Sequence, residues 1–351
     1  MSSSDNIALG KNMYTLGKTS GAVFTGGSNM GIGQNSFSLQ NGDFTGGSNM
    51  AMGYSIYTLD SGNMAGSNNI GIGTGSYYVR NGDITSTAAN NIALGTSIYR
   101  LINNNTSTFS GRNNIGIGEQ MYLSLGDVIG SNNIGIGSYN FYAGIGGVTG
   151  DYNIVMGYQS LRGATTVSGS DNIALGNNVM YSNGHAVTGS KNIAIGGSAL
   201  SANGTDVAGD NNIAIGESAL YNNGSTRGNK NIAIGTSGGA YFSLGNGNVF
   251  LGNGALGTDT PQMDNVIAIG NGMSLGAVPD NVILLGNDSP INSPKIGMGT
   301  HQPQAKQDVN GGVRVGEDNS ACTYTNKGTI RFDNGTNKFQ GCDGSNWVNL
   351  N

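Results

Sequence analysis

The sequence predicts an all-β fold: a repetitive parallel β-roll of about fifteen rungs, followed by a small C-terminal β module. Three observations predict it: a pentapeptide that recurs at near-constant spacing, alternation of large and small apolar residues within it, and an unusual glycine content. Of 351 residues, 63 are Gly and only 10% are charged, against a usual Gly share of about 7%. Five Pro and no strict three-residue period exclude collagen. Regularly spaced hydrophobic residues, 36% of the chain, separate it from Gly-rich disorder, which cannot bury enough surface to offset ordering entropy.

The pentapeptide Asn-(Ile/Met)-(Ala/Gly/Val)-(Ile/Leu/Met)-Gly begins at Asn6, Asn29, Asn49, Asn69, Asn91, Asn114, Asn133, Asn153, Asn172, Asn192, Asn212 and Asn231, at intervals of 19 to 23 residues. Looser copies begin at Asn248, Asn265 and Asn281, at intervals of 16 or 17. Self-similarity of this kind marks a solenoid. Residues two and four, such as Ile193 with Ile195 and Ile213 with Ile215, share one face of a strand because side chains alternate. Being large and aliphatic, they read as the core face. The small residue between them, Ala194 or Ala214, implies that another layer or another chain approaches the opposite face. The closing Gly196 and Gly216 suit a bend or a positive φ. Asn192 and Asn212 suit a turn or an Asn ladder stacked between rungs.

A second segment such as residues 198–201 follows each pentapeptide, then a tight-turn signal such as Asn203-Gly204 and a return segment such as residues 187–190. One repeat is one coil, each rung pairing with the next. At about 4.8 Å per rung, fifteen rungs make a rod of roughly 70 Å. So small a coil encloses few apolar side chains. The Ala/Gly face and Tyr57, Tyr77, Tyr99, Tyr122, Tyr142, Tyr181 and Tyr221 are expected to leave apolar surface exposed in a monomer, which predicts self-association.

A net charge of −5 with 15 scattered basic residues excludes nucleic acid and anionic membrane as expected partners. No apolar run approaches the roughly 20 residues needed to span a bilayer. Residues 1–5 show no secretory signal, so a route other than secretion, or a piece of a longer protein, is expected.

The repeat is similar to the head repeat of YadA-type trimeric autotransporter adhesins, written Asn-Ser-Val-Ala-Ile-Gly in that family, most closely at residues 192–196, 212–216 and 231–235. That resemblance implies a left-handed β-roll, a homotrimer and attachment to host surfaces. The period near 20 is longer than the family's, so each coil carries an added excursion. Further on, residues 296–300 and 307–316 resemble the IGTxxP…LDVNGxVRVG segment of phage tail fibres. Residues 327–332 and 339–347 resemble the GTIRY…CDGxxW terminal module of tail fibres and shufflon-type pilus tips. These resemblances imply a shaft over 1–290, a connecting segment over 291–317 and a tip over 318–351. They imply a non-catalytic receptor-binding fibre of a virion, whose partners are its own copies, other virion proteins and a host glycan or protein. The alternatives are a bacterial surface adhesin or pilus-tip fragment, and a purely structural spacer.

Within the tip, Cys322 and Cys342 are expected to form a disulfide worth about 3 kcal/mol, the competing state being free thiols in a reducing compartment. Tyr324, Phe339, Asp343 and Trp347 are the candidate binding set, since aromatic faces stack on sugar rings. The competing role of Trp347 and Phe332 is the module's own core. No metal or cofactor is expected, because two cysteines without a nearby His make no zinc site. The match to GxGxxG at residues 252–257 lacks the helix that a dinucleotide site needs. His185 and His301 are isolated, and no nucleophile motif occurs, so no catalysis is expected.

Overall fold

The computed structural model describes residues 5–16, 23–59, 63–79, 83–101, 108–163, 165–221, 228–240, 245–254, 256–257, 263–275, 280–286, 296–298, 302–316 and 319–350. The chain divides into two compact units, Met1–Pro290 and Ile291–Asn351.

In the first unit every pentapeptide becomes a strand, from Ile7–Lys11 through Ile193–Ile195 to Ile283–Leu285. Fifteen such strands form one parallel sheet in sequence order. Like residues pair with like: Ile193 with Ile213, Ala194 with Ala214 and Ile195 with Ile215. A second wall is a parallel sheet of six short strands, among them Phe37–Leu39, Tyr57–Leu59 and Tyr122–Ser124. A third is a run of parallel bridges, such as Phe24 to Phe44 to Met64 to Ile84 and Val167 to Val187 to Val207. Together the three walls enclose a continuous core.

The pentapeptide faces are reversed from the sequence expectation. Ala51, Ala93, Ala174, Ala194 and Ala214 are fully buried, whereas Ile193, Ile195, Ile213 and Ile215 are half-exposed on the outer face. The coil is too narrow for two large walls to meet. A Cβ built on Gly71 would stand 2.3 Å from Ile56 Cγ2, and one on Gly31 would stand 2.4 Å from Met13 Cε. The layer that approaches the small residue is therefore the facing wall of the same chain, contributed by the preceding coil and by its own, as Ile56 and Tyr77 do at Gly71. Side-chain alternation located two faces but could not say which lay inside.

The tyrosines, all expected at an exposed surface, divide into two sets. Tyr57, Tyr77, Tyr99 and Tyr122 are fully buried and stacked, with ring centroids 4.6, 5.0 and 4.7 Å apart. Phe37 and Phe141 extend the stack at its two ends, at 5.0 and 4.7 Å. That spacing equals the rise between paired strands, about 4.8 Å, so offset stacking of the rings needs no distortion of the sheet. Beyond Phe141 the core position passes to Leu161, Met180 and Leu200, all buried. Tyr142, Tyr181 and Tyr221 remain half-exposed on the outer surface.

The pentapeptide asparagines form a buried ladder. Each side-chain oxygen accepts the next asparagine's backbone N–H, as from Asn192 to Asn172 Oδ1 at 2.9 Å and from Asn212 to Asn192 Oδ1 at 2.8 Å. Each side-chain Nδ2 donates across the coil to a return-segment carbonyl, as from Asn192 to Gly209 at 2.9 Å. Burying so many amides is tolerable because each one finds partners. The ladder ends one residue out of step with the motif. Val266, not Asn265, donates its N–H to Asn248 Oδ1, and Asn265 takes the left-handed position with φ 58°.

In the second unit, Ile296–Met298 pairs in parallel with Gln307–Val309. Ile330–Asp333, Lys338–Cys342 and Trp347–Asn349 form an antiparallel sheet, preceded by a 3-10 turn at Tyr324–Asn326.

Candidate functional site

The C-terminal module is built on the central strand Lys338–Cys342. Cys322 and Cys342 are joined by a disulfide, with Cα atoms 5.4 Å apart, which ties the segment before the 3-10 turn to the sheet. Both cysteines are buried. In an antiparallel sheet, residues directly opposite share a face. Arg331, Gln340 and Asn349 therefore form one row, and Cys342 lies opposite Trp347 on that same face. Phe332, opposite Phe339, lies on the other face with Val348.

Phe339 and Trp347 thus point to opposite sides of the sheet, and the four candidate residues do not converge. Trp347 is half-buried under Arg331, whose guanidinium carbon lies 4.1 Å from the ring centroid. The Trp347 indole N–H donates to the Ser320 carbonyl at 2.9 Å. Arg331 is itself fixed by donating from Nε and Nη2 to Gln340 Oε1, at 2.9 and 2.8 Å. Asp343 is exposed, and its Oδ1 accepts the backbone N–H groups of Ser345 and Asn346 at 2.8 and 2.7 Å. Those two donors hold its carboxyl below the usual carboxylate range. It shapes the turn between strands. Tyr324 is 84% exposed on the 3-10 turn. Phe339, half-exposed, meets Phe332 edge-on at 5.2 Å. These two rings, Asn334 and residues 313–316 line a groove of about 470 Å³.

The roll offers a different surface. Positions two and four of the pentapeptides beginning at Asn6 through Asn248 project outward, as do Ile267 with Ile269 and Ile283 with Leu285 in the two shifted copies, so two large apolar side chains per strand run in register across fifteen strands. Ile72, Ile117, Ile154, Met156, Ile234 and Ile269 are each between 37% and 44% exposed. The band is legible in the sequence as an alternation, and the structure turns outward the face that the alternation suggests is core.

The dinucleotide-like match at 252–257 belongs to a rung: strand Val249–Leu251 leads into it and strand Leu256–Gly257 ends it. His185 Nδ1 lies 3.8 Å from Asp206 Oδ1, both half-exposed, while His301 falls outside the described residues. Among the described residues no three His, Cys, Asp or Glu side chains converge on a metal-sized site, and no helix is long and apolar enough to cross a membrane. Comparison with family models, with curated proteins and with solved structures returns no match to this chain. The fold and its surfaces define a parallel β-solenoid with an outward aliphatic band, and a separate disulfide-closed antiparallel module.

Proposed function

We propose that the chain is a non-enzymatic attachment fibre, a tail-fibre or receptor-binding protein of a virion. In this reading identical chains associate through the outward band as a homotrimer, and the C-terminal module meets the host surface. The observation that carries the reading is the band itself. Isolated soluble chains rarely expose contiguous apolar patches beyond a few hundred Å², and this one repeats on every rung. A partner able to cover it along its whole length must repeat with the same rise, which another copy of the chain does. The resemblance of the pentapeptide to trimeric adhesin heads supports three copies, and the resemblance of residues 327–347 to tail-fibre termini supports the attachment role. Three copies would then bind a surface glycan or protein by avidity.

Light scattering on the purified chain tests the assembly, with a mass about three times 35.7 kDa expected. Glu substitutions at Ile117 and Ile136 should release monomers; a wild-type monomer overturns the reading. Removing residues 318–351 should abolish adsorption to host cells while leaving the trimer intact. Unchanged adsorption would take the attachment role away from the tip.

A further inference from the structure

The same position on successive rungs is occupied by Tyr142, Arg162, Tyr181, Ser201 and Tyr221, at intervals of 19 or 20 residues. Backbone bonds from Gly163 to Tyr142, Ser182 to Arg162 and Ala202 to Tyr181 hold neighbouring rungs in register there. Between Tyr142 and Tyr181 the gap is filled. The Arg162 guanidinium carbon lies 4.5 Å from the first ring centroid and 5.7 Å from the second. Between Tyr181 and Tyr221, Ser201 stands where an arginine stood before, and a cavity of about 180 Å³ remains.

We propose that this slot binds a single neutral pyranose ring of a surface glycan. The inference rests on the attachment reading above and locates a glycan site on the roll rather than at the tip. Tyr181 and Tyr221 form its walls, Ser201 and Ala202 its floor, and Asn178, Asn183, Ser198 and Asn203 its rim. The floor is fixed: the Tyr181 N–H donates to Ser201 Oγ at 3.2 Å, and the Ser201 hydroxyl bonds the Asn178 carbonyl. Arg162 braces the far face of Tyr181.

Charge and thickness select the ligand. None of the lining residues is charged, while amides and hydroxyls supply donors and acceptors in the pattern that sugar hydroxyls use. Two rungs place the walls about 9.6 Å apart. In the equivalent filled gap, the flat guanidinium sits close to one ring and leaves the other near the limit of cation–π reach, about 6 Å. A flat group therefore contacts one wall well. A chair-shaped pyranose is thicker, and its C–H groups can meet an aromatic wall on both sides.

The test is saturation-transfer NMR on the full-length fibre with the methyl glycosides of glucose, galactose, mannose and N-acetylglucosamine, each offered separately. Ring-proton signals are expected from at least one glycoside. They should fall at least tenfold in Ser201→Arg, which places at this rung the residue type that Arg162 shows the position accepts, and in Tyr221→Ala. Tyr54→Ala, an exposed ring on a distant rung, should leave them unchanged. If Ser201→Arg fails to fold, Asn183→Ala provides the same comparison through the rim. No signal from any glycoside, or a signal that survives these substitutions, overturns the site. Binding of arginine amide in place of every glycoside would assign the slot to an arginine-bearing peptide and overturn the sugar assignment. Cell adsorption is scored separately. Adsorption without glycoside signals removes the slot and keeps the fibre reading, whereas slot-dependent signals without adsorption do the reverse.

Discussion

Replacing Asn153 by Ala tests the ladder that joins the rungs. The Asn153 side chain donates from Nδ2 to the Gly169 carbonyl at 2.9 Å, and its Oδ1 accepts the Asn172 backbone N–H at 2.9 Å. Truncation leaves both of those buried groups without that partner. The Asn153 backbone N–H keeps Asn133 Oδ1, and Asn172 Nδ2 keeps the Gly189 carbonyl. Each orphaned buried group costs about 1–3 kcal/mol, so the substitution should destabilise this part of the roll by roughly 3–4 kcal/mol. Stability in a solenoid is set by nearest-neighbour interfaces. The effect should therefore be local, with the Asn172 amide exchanging at least about 100-fold faster, since 1.4 kcal/mol is a factor of ten. Asn153→Asp supplies the control. It keeps an acceptor for Asn172 but sets a carboxylate against the Gly169 carbonyl, and burial raises its pKa. A raised folded-state pKa means that this variant is steadiest in acid, where the protonated acid donates to Gly169, and weakens as pH rises through that pKa. Asn172 exchange within fivefold of wild type, together with an unchanged denaturation midpoint for Asn153→Ala, would refute the ladder as the cement between rungs.

The buried phenols predict alkaline sensitivity. Burial holds Tyr57, Tyr77, Tyr99 and Tyr122 well above the ordinary tyrosine value, so their contribution is fully present below about pH 10. Above that it falls, by up to about 1.4 kcal/mol per pH unit for each ring. Melting followed from about pH 8 to about pH 11.5 checks this, and a flat profile would refute it. Gly157 has φ +137°, and a Cβ there would stand 1.8 Å from the Gly176 carbonyl oxygen. Gly157→Ala should therefore cost more than about 3 kcal/mol, whereas Gly204→Ala, with φ +85° and open space around it, should cost about 1 kcal/mol of strain. Equal midpoints for the two variants in urea would contradict the contact argument. Reduction of the disulfide between Cys322 and Cys342, 20 residues apart, should remove about 3 kcal/mol from the second unit. Its melting transition should fall while that of the roll stays in place; a shift of both would show that the effect is not confined to the module.

The rung is legible in the chain without any tertiary information. Its period, its strand, its closing glycine and its leading asparagine follow from local rules. A parallel in-register stack lets identical side chains satisfy one another, as Asn192 and Asn212 do. What the sequence left open was which strand face lies inside. Alternation is symmetric, and only the facing wall, with Ile56 against Gly71 and Met13 against Gly31, shows that the small residue is the interior one. The same holds for the tyrosines. Tyr122 lies eight residues after Asn114 and Tyr142 nine after Asn133; the bridge from Ser124 to Ala143 therefore aligns Tyr122 with Phe141 in the core and leaves Tyr142 half-exposed against Arg162. In the C-terminal module, strand register alone places Phe339 and Trp347 on opposite faces. The slot beside Ser201 exists because residues about 20 apart in the chain become neighbours one rung apart in space. Those relations are made by closure of the coil and by strand pairing, which bring together groups that no local pattern relates.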